Sequence, residues 1–178
     1  MVSPQTLSEA DRRDLAVWAA DCAEHVVHLF EAEAPSDGRP ADAIARARAF
    51  GRGELRAADE IRQRFVAGRA AGSADSPAAA AAARSAAQAS GVAHMGAHAL
   101  GAAAYAAKAA ALAAPDDPDA AAREIRWQLE QLTARNRDAL RLLPLLGQDS
   151  AGPLGSGLLA NGVLAWAIRE IQAQVNAD

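Results

Sequence analysis

Cysteine, tyrosine and lysine each occur once in this 178-residue chain, and aromatic residues make up only 4% of it. The lone Cys22 has no partner for an internal disulfide, and no basic, apolar, small-residue leader precedes the first polar helix, so a reducing, cytoplasmic setting is expected. Val, Ile and Thr stand mostly as singletons, which leaves little from which to build a sheet. Long apolar runs are also missing. The least charged stretch, Gly91 to Ala114, carries only Lys108 as a full charge, yet it holds His94, His98 and three glycines and is rich in alanine, not leucine, so no membrane span is expected.

Alanine is what the chain has in abundance. It supplies more than half of the 51% apolar fraction and has the highest helix propensity of any residue. Large core-filling side chains are scarce, so stability must come from close packing of small ones. The length fits one domain. The expectation is an all-α, single-domain bundle of about seven or eight alanine-rich helices spanning residues 1–178.

Local signals place the helices. Ser8 followed by Glu9 and Asp11 reads as a cap with acid in the first turn, opening a helix to about Glu33, before Pro35. Pro40 opens a second that ends near Gly51 to Gly53. The spacing of Leu55, Ala58, Ile61, Phe65 and Val66 predicts a third from about Glu54 to Gly68, with a linker over Gly72 to Ser76. Residues Pro77 to Ala114 read as two helices broken near Ser90 and Gly91. Asp116, Asp117 and Pro118 open the next, Thr133 caps another that Pro144 shortens, and the Gly, Ser and Pro residues of 147–157 read as a flexible connector before a C-terminal helix with Leu164, Ile168, Ile171 and Val175.

The net charge of -4 is unevenly spread: residues 1–38 are net -6, residues 39–69 net +4, and the rest net -2. Internal pairing between the first two segments is the simplest consequence. Arg46, Arg48, Arg52 and Arg56 could touch nucleic acid, but Asp42, Glu54, Asp59 and Glu60 interrupt them and stacking aromatics are nearly absent, so no nucleic-acid partner is expected. Gly152, Gly155, Gly157 and Gly162 lack the strand before and the Gly-Lys-Ser/Thr after that a phosphate loop needs, and no cofactor is expected.

Plotted at about 100 degrees per residue, the first helix puts Leu15, Trp18, Cys22, Val26 and Leu29 on one stripe, widened by Ala16, Ala19, Ala23, Val27 and Phe30. Asp14, Asp21, His25 and His28 fall on one flank, with Glu24 and Glu31 further round. This arc is either a plain solvated face or a surface for a basic partner, and Asp14, Asp21, Glu24, His28 and Glu31 are the candidate partner-binding residues. Cys22 sits on the apolar stripe of an acidic helix, a core position, not one for a reactive thiolate. Elsewhere, His94 and His98 stand one turn apart and could share a metal ion, with His25 or His28 as further ligands, although no zincin glutamate lies between them. The small-residue face from Ala93 to Ala110 could pack on the chain's own core or on a second copy.

Several blocks resemble a known family. Trp18-Ala-Ala-Asp21-Cys22-Ala-Glu24-His25 and Leu29-Phe30-Glu31 are similar to the start of the group-five-like immunity proteins of bacterial polymorphic toxin systems. Arg39-Pro40, Ala43-Ile44, Arg48 and Arg52-Gly53-Glu54 resemble that family's second helix; Ala93-His94, Ala97-His98-Ala99 and Ala104-Tyr105-Ala106 resemble its alanine-rich segment, and Trp127-Gln128 is a further match. The likeness covers about residues 8–130, while residues 55–76 are richer in arginine than the family pattern and the part after Gly147 has no counterpart. The resemblance implies an all-helical cytoplasmic protein that binds and neutralises a cognate toxin domain and has no catalytic residues.

Overall fold

The computed structural model describes residues 3–63 and 65–177, without the side chains of 61–63. Nine α-helices and two 3₁₀ turns lie among them, and no strand. In order they are α1 (Glu9–Glu31), α2 (Arg39–Gly51), α3 (Ala57–Gln63), α4 (Val66–Ala70), α5 (Pro77–Gly91), α6 (His98–Ala113), α7 (Ala120–Glu130), α8 (Ala134–Arg141) and α9 (Gly162–Ala177). No helix is long and apolar enough to cross a membrane among the described residues.

The helix count exceeds the seven or eight expected because the stretch read as one helix from Glu54 to Gly68 is two. Its presumed anchors do not form a core stripe: Ala58 is exposed, Phe65 is 60% exposed, and the side chain of Ile61 lies outside the described residues. The short α4 instead buries Ala67 and Ala70 against α5.

Caps fix where the other helices begin. The Ser8 hydroxyl accepts the Asp11 N–H, Ser76 accepts that of Ala79, and Thr133 forms a reciprocal capping box with Asn136. Two of these caps also join distant elements. Glu33, just past α1, accepts the N–H groups of Asp75 and Ser76 at 3.0 Å each, and Asn136 donates its Nδ2 to the Asp14 carbonyl at 3.0 Å. At the end of α2, Gly53 takes φ +81 so that Glu54 N–H can reach the Ala49 carbonyl and Gly53 N–H that of Phe50, a reversal that disfavours any residue with a Cβ.

The centre is a three-helix contact of α1, α5 and α6, with α2 against α1 and α5, and α7 and α9 against α6. Alanine dominates it: Ala81, Ala82, Ala83 and Ala86 of α5 and Ala99, Ala102, Ala103 and Ala106 of α6 are all buried. Helices with such small side chains approach until backbone meets backbone, and the Ser85 hydroxyl can then donate to the Ala102 carbonyl at 2.7 Å across the seam. The small-residue face that could have served a second copy is thus spent on the chain's own core. Where α1 meets α2, a Cβ on Gly51 would lie 2.5 Å from Val17 Cγ2 and 3.0 Å from the Arg13 carbonyl oxygen, so only glycine admits this approach.

Large side chains fill the remaining volume. Trp18, Leu15, Phe30, Phe50, Leu100, Ile168 and Ile171 are almost wholly excluded from solvent, and the expected stripe of α1 holds except that Leu29 is only half-buried. Residues 147–157 are not the loose connector that their composition suggests. The buried Gln5 side chain donates to Asp149 at 2.7 Å and to the Ala151 carbonyl at 2.8 Å and accepts the Leu154 N–H at 2.9 Å, while Leu154 itself is fully buried. The N-terminal segment also pairs with the turn between α5 and α6, where the N–H groups of Gly96 and Ala97 donate to the carbonyls of Thr6 and Gln5.

Trp18 sits at 1% exposure and donates its indole N–H to the Gln128 carbonyl at 2.9 Å. Trp18→Ala should therefore lower the unfolding free energy by about 3 to 5 kcal/mol, the range for buried aromatic truncations, whereas Trp18→Phe, which keeps a ring but loses the hydrogen bond, should lose less. Urea unfolding of the three proteins measures this; an unchanged midpoint in Trp18→Ala would show that the ring does not carry the core.

Candidate functional site

The outward arc of α1 begins where its apolar stripe ends. Glu24, His28 and Glu31 are exposed and Asp14 and Asp21 are half-buried, so each candidate residue retains some contact with solvent. They are not five independent charges. Arg48, on the side of α2 facing α1, donates to Asp21 Oδ1 at 2.6 Å and, through both terminal nitrogens, to the Glu24 carboxylate at 2.7 and 2.5 Å. Its hydrogen bonds hold the Glu24 carboxyl below the usual carboxylate range. The net-negative first segment and the net-positive second one therefore meet at this triad, while Arg39 with Asp37, Arg46 with Glu60, Arg52 with Glu54 and Arg56 with Asp59 pair locally.

His25 stays exposed, but its ring is tied to α7 and not to the acids beside it. Its Nδ1 lies 2.7 Å from Glu124 Oε2, and its ring stacks on Trp127 with centroids 3.7 Å apart and planes 10° from parallel. Glu124 is buried, and its other oxygen accepts the Gln128 amide at 3.0 Å; the same amide donates to the Ala103 carbonyl at 3.2 Å. Glu124 escaped the sequence reading because a buried acid has no signal of its own. It nevertheless stands three residues before Trp127 and four before Gln128, on the face that those two residues define.

Cys22 lies inside this knot, with no solvent exposure. Burial pushes its thiol well above the ordinary range, and the nearby Glu124 and Asp21 carboxylates push in the same direction. A thiol held protonated and covered has neither the charge nor the access for nucleophilic work. Trp18, Asp21, Cys22, Glu24, His25, Trp127 and Gln128, which carry much of the family resemblance, are thus the ties by which α1 grips α2 and α7.

The second histidine pair is separate. His94 is exposed at the turn before α6, and His98 is partly buried, its Nδ1 donating to Gln88 Oε1 at 2.7 Å. Two glycines make room for this pair: a Cβ on Gly91 would lie 3.0 Å from the His98 ring, and one on Gly101 would lie 2.3 Å from Gln88 Oε1. Neither His25 nor His28 joins them. Among the described residues no group of three or more His, Cys, Asp or Glu is gathered as a metal site would need.

Burial, aided by His94, lowers the His98 pKa to about 4 from its ordinary 6.5. The unfolded chain therefore binds more protons in this interval, so the contribution of neutral His98 is intact above about pH 6.5 and is lost as the pH falls toward 4. Unfolding free energy measured across this window should fall by on the order of 2 kcal/mol more in the native protein than in His98→Asn, which keeps a donor for Gln88 but does not titrate. Equal slopes for the two proteins would remove His98 as the source.

No curated protein and no solved structure matches this chain. A family model described as "Imm-5 like putative immunity protein" matches residues 5–135, which takes in α1 through α7, the Arg48 triad, the His25–Glu124 knot and both histidines of the α5–α6 region. The chain therefore belongs to the Imm-5 like putative immunity protein family.

Proposed function

We propose that residues 1–178 act as one helical unit, a non-enzymatic cytoplasmic immunity protein that binds and neutralises a cognate toxin domain. The family match over residues 5–135 carries this reading. A second support is the use to which the polar residues of the family blocks are put. Asp21, Glu24, His25 and Gln128 bond to other helices, and Cys22 is sealed in the core, so these polar residues serve to hold the helices together.

The contact surface in this proposal is the arc of α1 formed by Asp14, Asp21, Glu24, His28 and Glu31. Arg48 fixes Asp21 and Glu24 in place, which spares part of the side-chain entropy that a partner would otherwise have to remove. Glu31 and His28 have no such tether among the described residues and supply the adjustable part of the surface. A basic toxin face is the complement that this arc selects.

Co-expression with the toxin domain encoded beside its gene should restore growth to cells that the toxin alone arrests. If no toxin gene lies nearby and growth is restored for no toxin domain tested, the immunity reading fails. Within a rescued pair, Glu31→Lys should weaken binding by about tenfold or more without changing the melting temperature, because Glu31 is exposed and outside the ion pairs among the described residues. Glu24→Lys should reduce both affinity and stability, since it also sets a cation beside Arg48. Unaltered affinity in both variants would move the contact surface off α1.

A further inference from the structure

Between α4, α5 and the start of α6 lies a cavity of about 530 Å³ whose charged lining is of one sign. Arg69 and Arg84 are both exposed side chains at this cavity, and among the described residues no carboxylate lines it. Neither arginine has an ion-pair partner among the described residues, in a protein of net charge -4 whose Arg13, Arg39, Arg46, Arg48, Arg52, Arg56, Arg123 and Arg141 are all paired with acids. Two guanidinium groups facing one recess, with no carboxylate in its described lining, leave a local positive potential there.

The rest of the lining is built for a compact ligand. Gln88 and His98 are hydrogen-bonded to each other in the space that Gly91 and Gly101 leave open. Tyr105, almost wholly buried, reaches the same recess, its phenol held protonated by burial. His94 adds a second imidazole, and Phe65 lines the cavity as a large apolar side chain 60% exposed to solvent. The volume falls within the range of small-molecule sites, about 300 to 1,000 Å³, where an apolar surface supplies area and a few polar groups set orientation.

We propose that this recess is a binding site for a small dianionic oxyanion carried on an aromatic body, a phosphomonoester being the simplest form, with Arg69 and Arg84 meeting the anion and Phe65 the ring. Guanidinium groups suit this role because their planar N–H groups match phosphate oxygens. Toxin binding through α1 does not enter the proposal, so either reading can fail without the other.

The test is a titration of the full chain with phenyl phosphate, followed by NMR of the His94, His98 and Tyr105 ring signals. Saturable shifts confined to these rings are expected, with a dissociation constant of about 1 mM or tighter. Arg69→Gln and Arg84→Gln should each weaken binding by about fivefold or more, as expected for loss of a charge-assisted hydrogen bond, and should leave the melting temperature nearly unchanged because both side chains are exposed and neither has an ion-pair partner among the described residues. Benzyl alcohol should give no saturable shift, and inorganic phosphate a weaker one than phenyl phosphate. The proposal is overturned if phenyl phosphate does not saturate, if benzyl alcohol binds as well, if inorganic phosphate binds as tightly, or if the arginine variants bind like the native protein.

Discussion

A core made of alanine closes only if helix backbones come close enough to replace the contacts that larger side chains would have made. Each buried methyl removes little apolar area from water, so the stabilisation depends on many of them meeting at once. The contact of α5 with α6, and of both with α1, meets this demand with an almost unbroken set of buried alanines. Its weakness is geometric. A single added side chain at Gly51 has no space to enter, because it would strike Val17 and the Arg13 carbonyl. Where helices diverge from the close-packed centre, the few large residues are placed: Trp18, Phe30 and Phe50 toward α1 and α2, Ile168 and Ile171 along α9.

This constraint explains why so much polar chemistry lies around α1. Dispersion between small residues does little to fix the angle or register of one helix against another, whereas directional bonds do. The Trp18 indole to the Gln128 carbonyl, Arg48 to Asp21 and Glu24, and His25 to Glu124 and Trp127 each hold α1 at a definite position against a neighbour. The buried Glu124 is acceptable in the core because both of its oxygens are occupied, one by His25 and one by Gln128. Residues that look like a reactive set in the one-dimensional sequence, Asp21, Cys22 and His25, are therefore divided among three different structural tasks.

The features legible in the sequence were those set by local chemistry. Ser8 and Thr133 mark helix starts because their hydroxyls satisfy N–H groups that the helix cannot, and Pro40 and Gly53 mark a start and a stop through φ alone. The apolar stripe of α1 followed from period 3.6. What was not legible depended on partners far along the chain. His25 belongs by spacing to the acidic flank, and its partner Glu124 of α7 lies 99 residues away. Gln5 gives no local hint that it will order residues 149–154, and Phe65 fits a helical stripe that the tertiary packing does not use. The pairing of acidic and basic segments was foreseeable in aggregate, but its concentration in Arg48 was not.

The two surfaces that remain after the fold has taken its share differ in kind. On α1 the groups outside the Arg48 triad, Asp14, His28 and Glu31, stand on a long, well-anchored helix, the display proposed for a macromolecular partner. Around Arg69 and Arg84 the unspent groups are cations at a recess, next to a histidine kept neutral at ordinary pH and a protonated phenol. A helix face offers area without enclosure, and enclosure is what a small ligand needs in order to gain enough contact to be held. A recess bounded by the short α4 and the longer α5 and α6 offers enclosure with less area than a protein interface commonly buries. If α1 carries a macromolecular partner and the α4–α5–α6 recess a small one, as proposed, the two acids that Arg48 holds, Asp21 and Glu24, serve both the fold and the contact, whereas Arg69 and Arg84 have no ion-pair partner among the described residues.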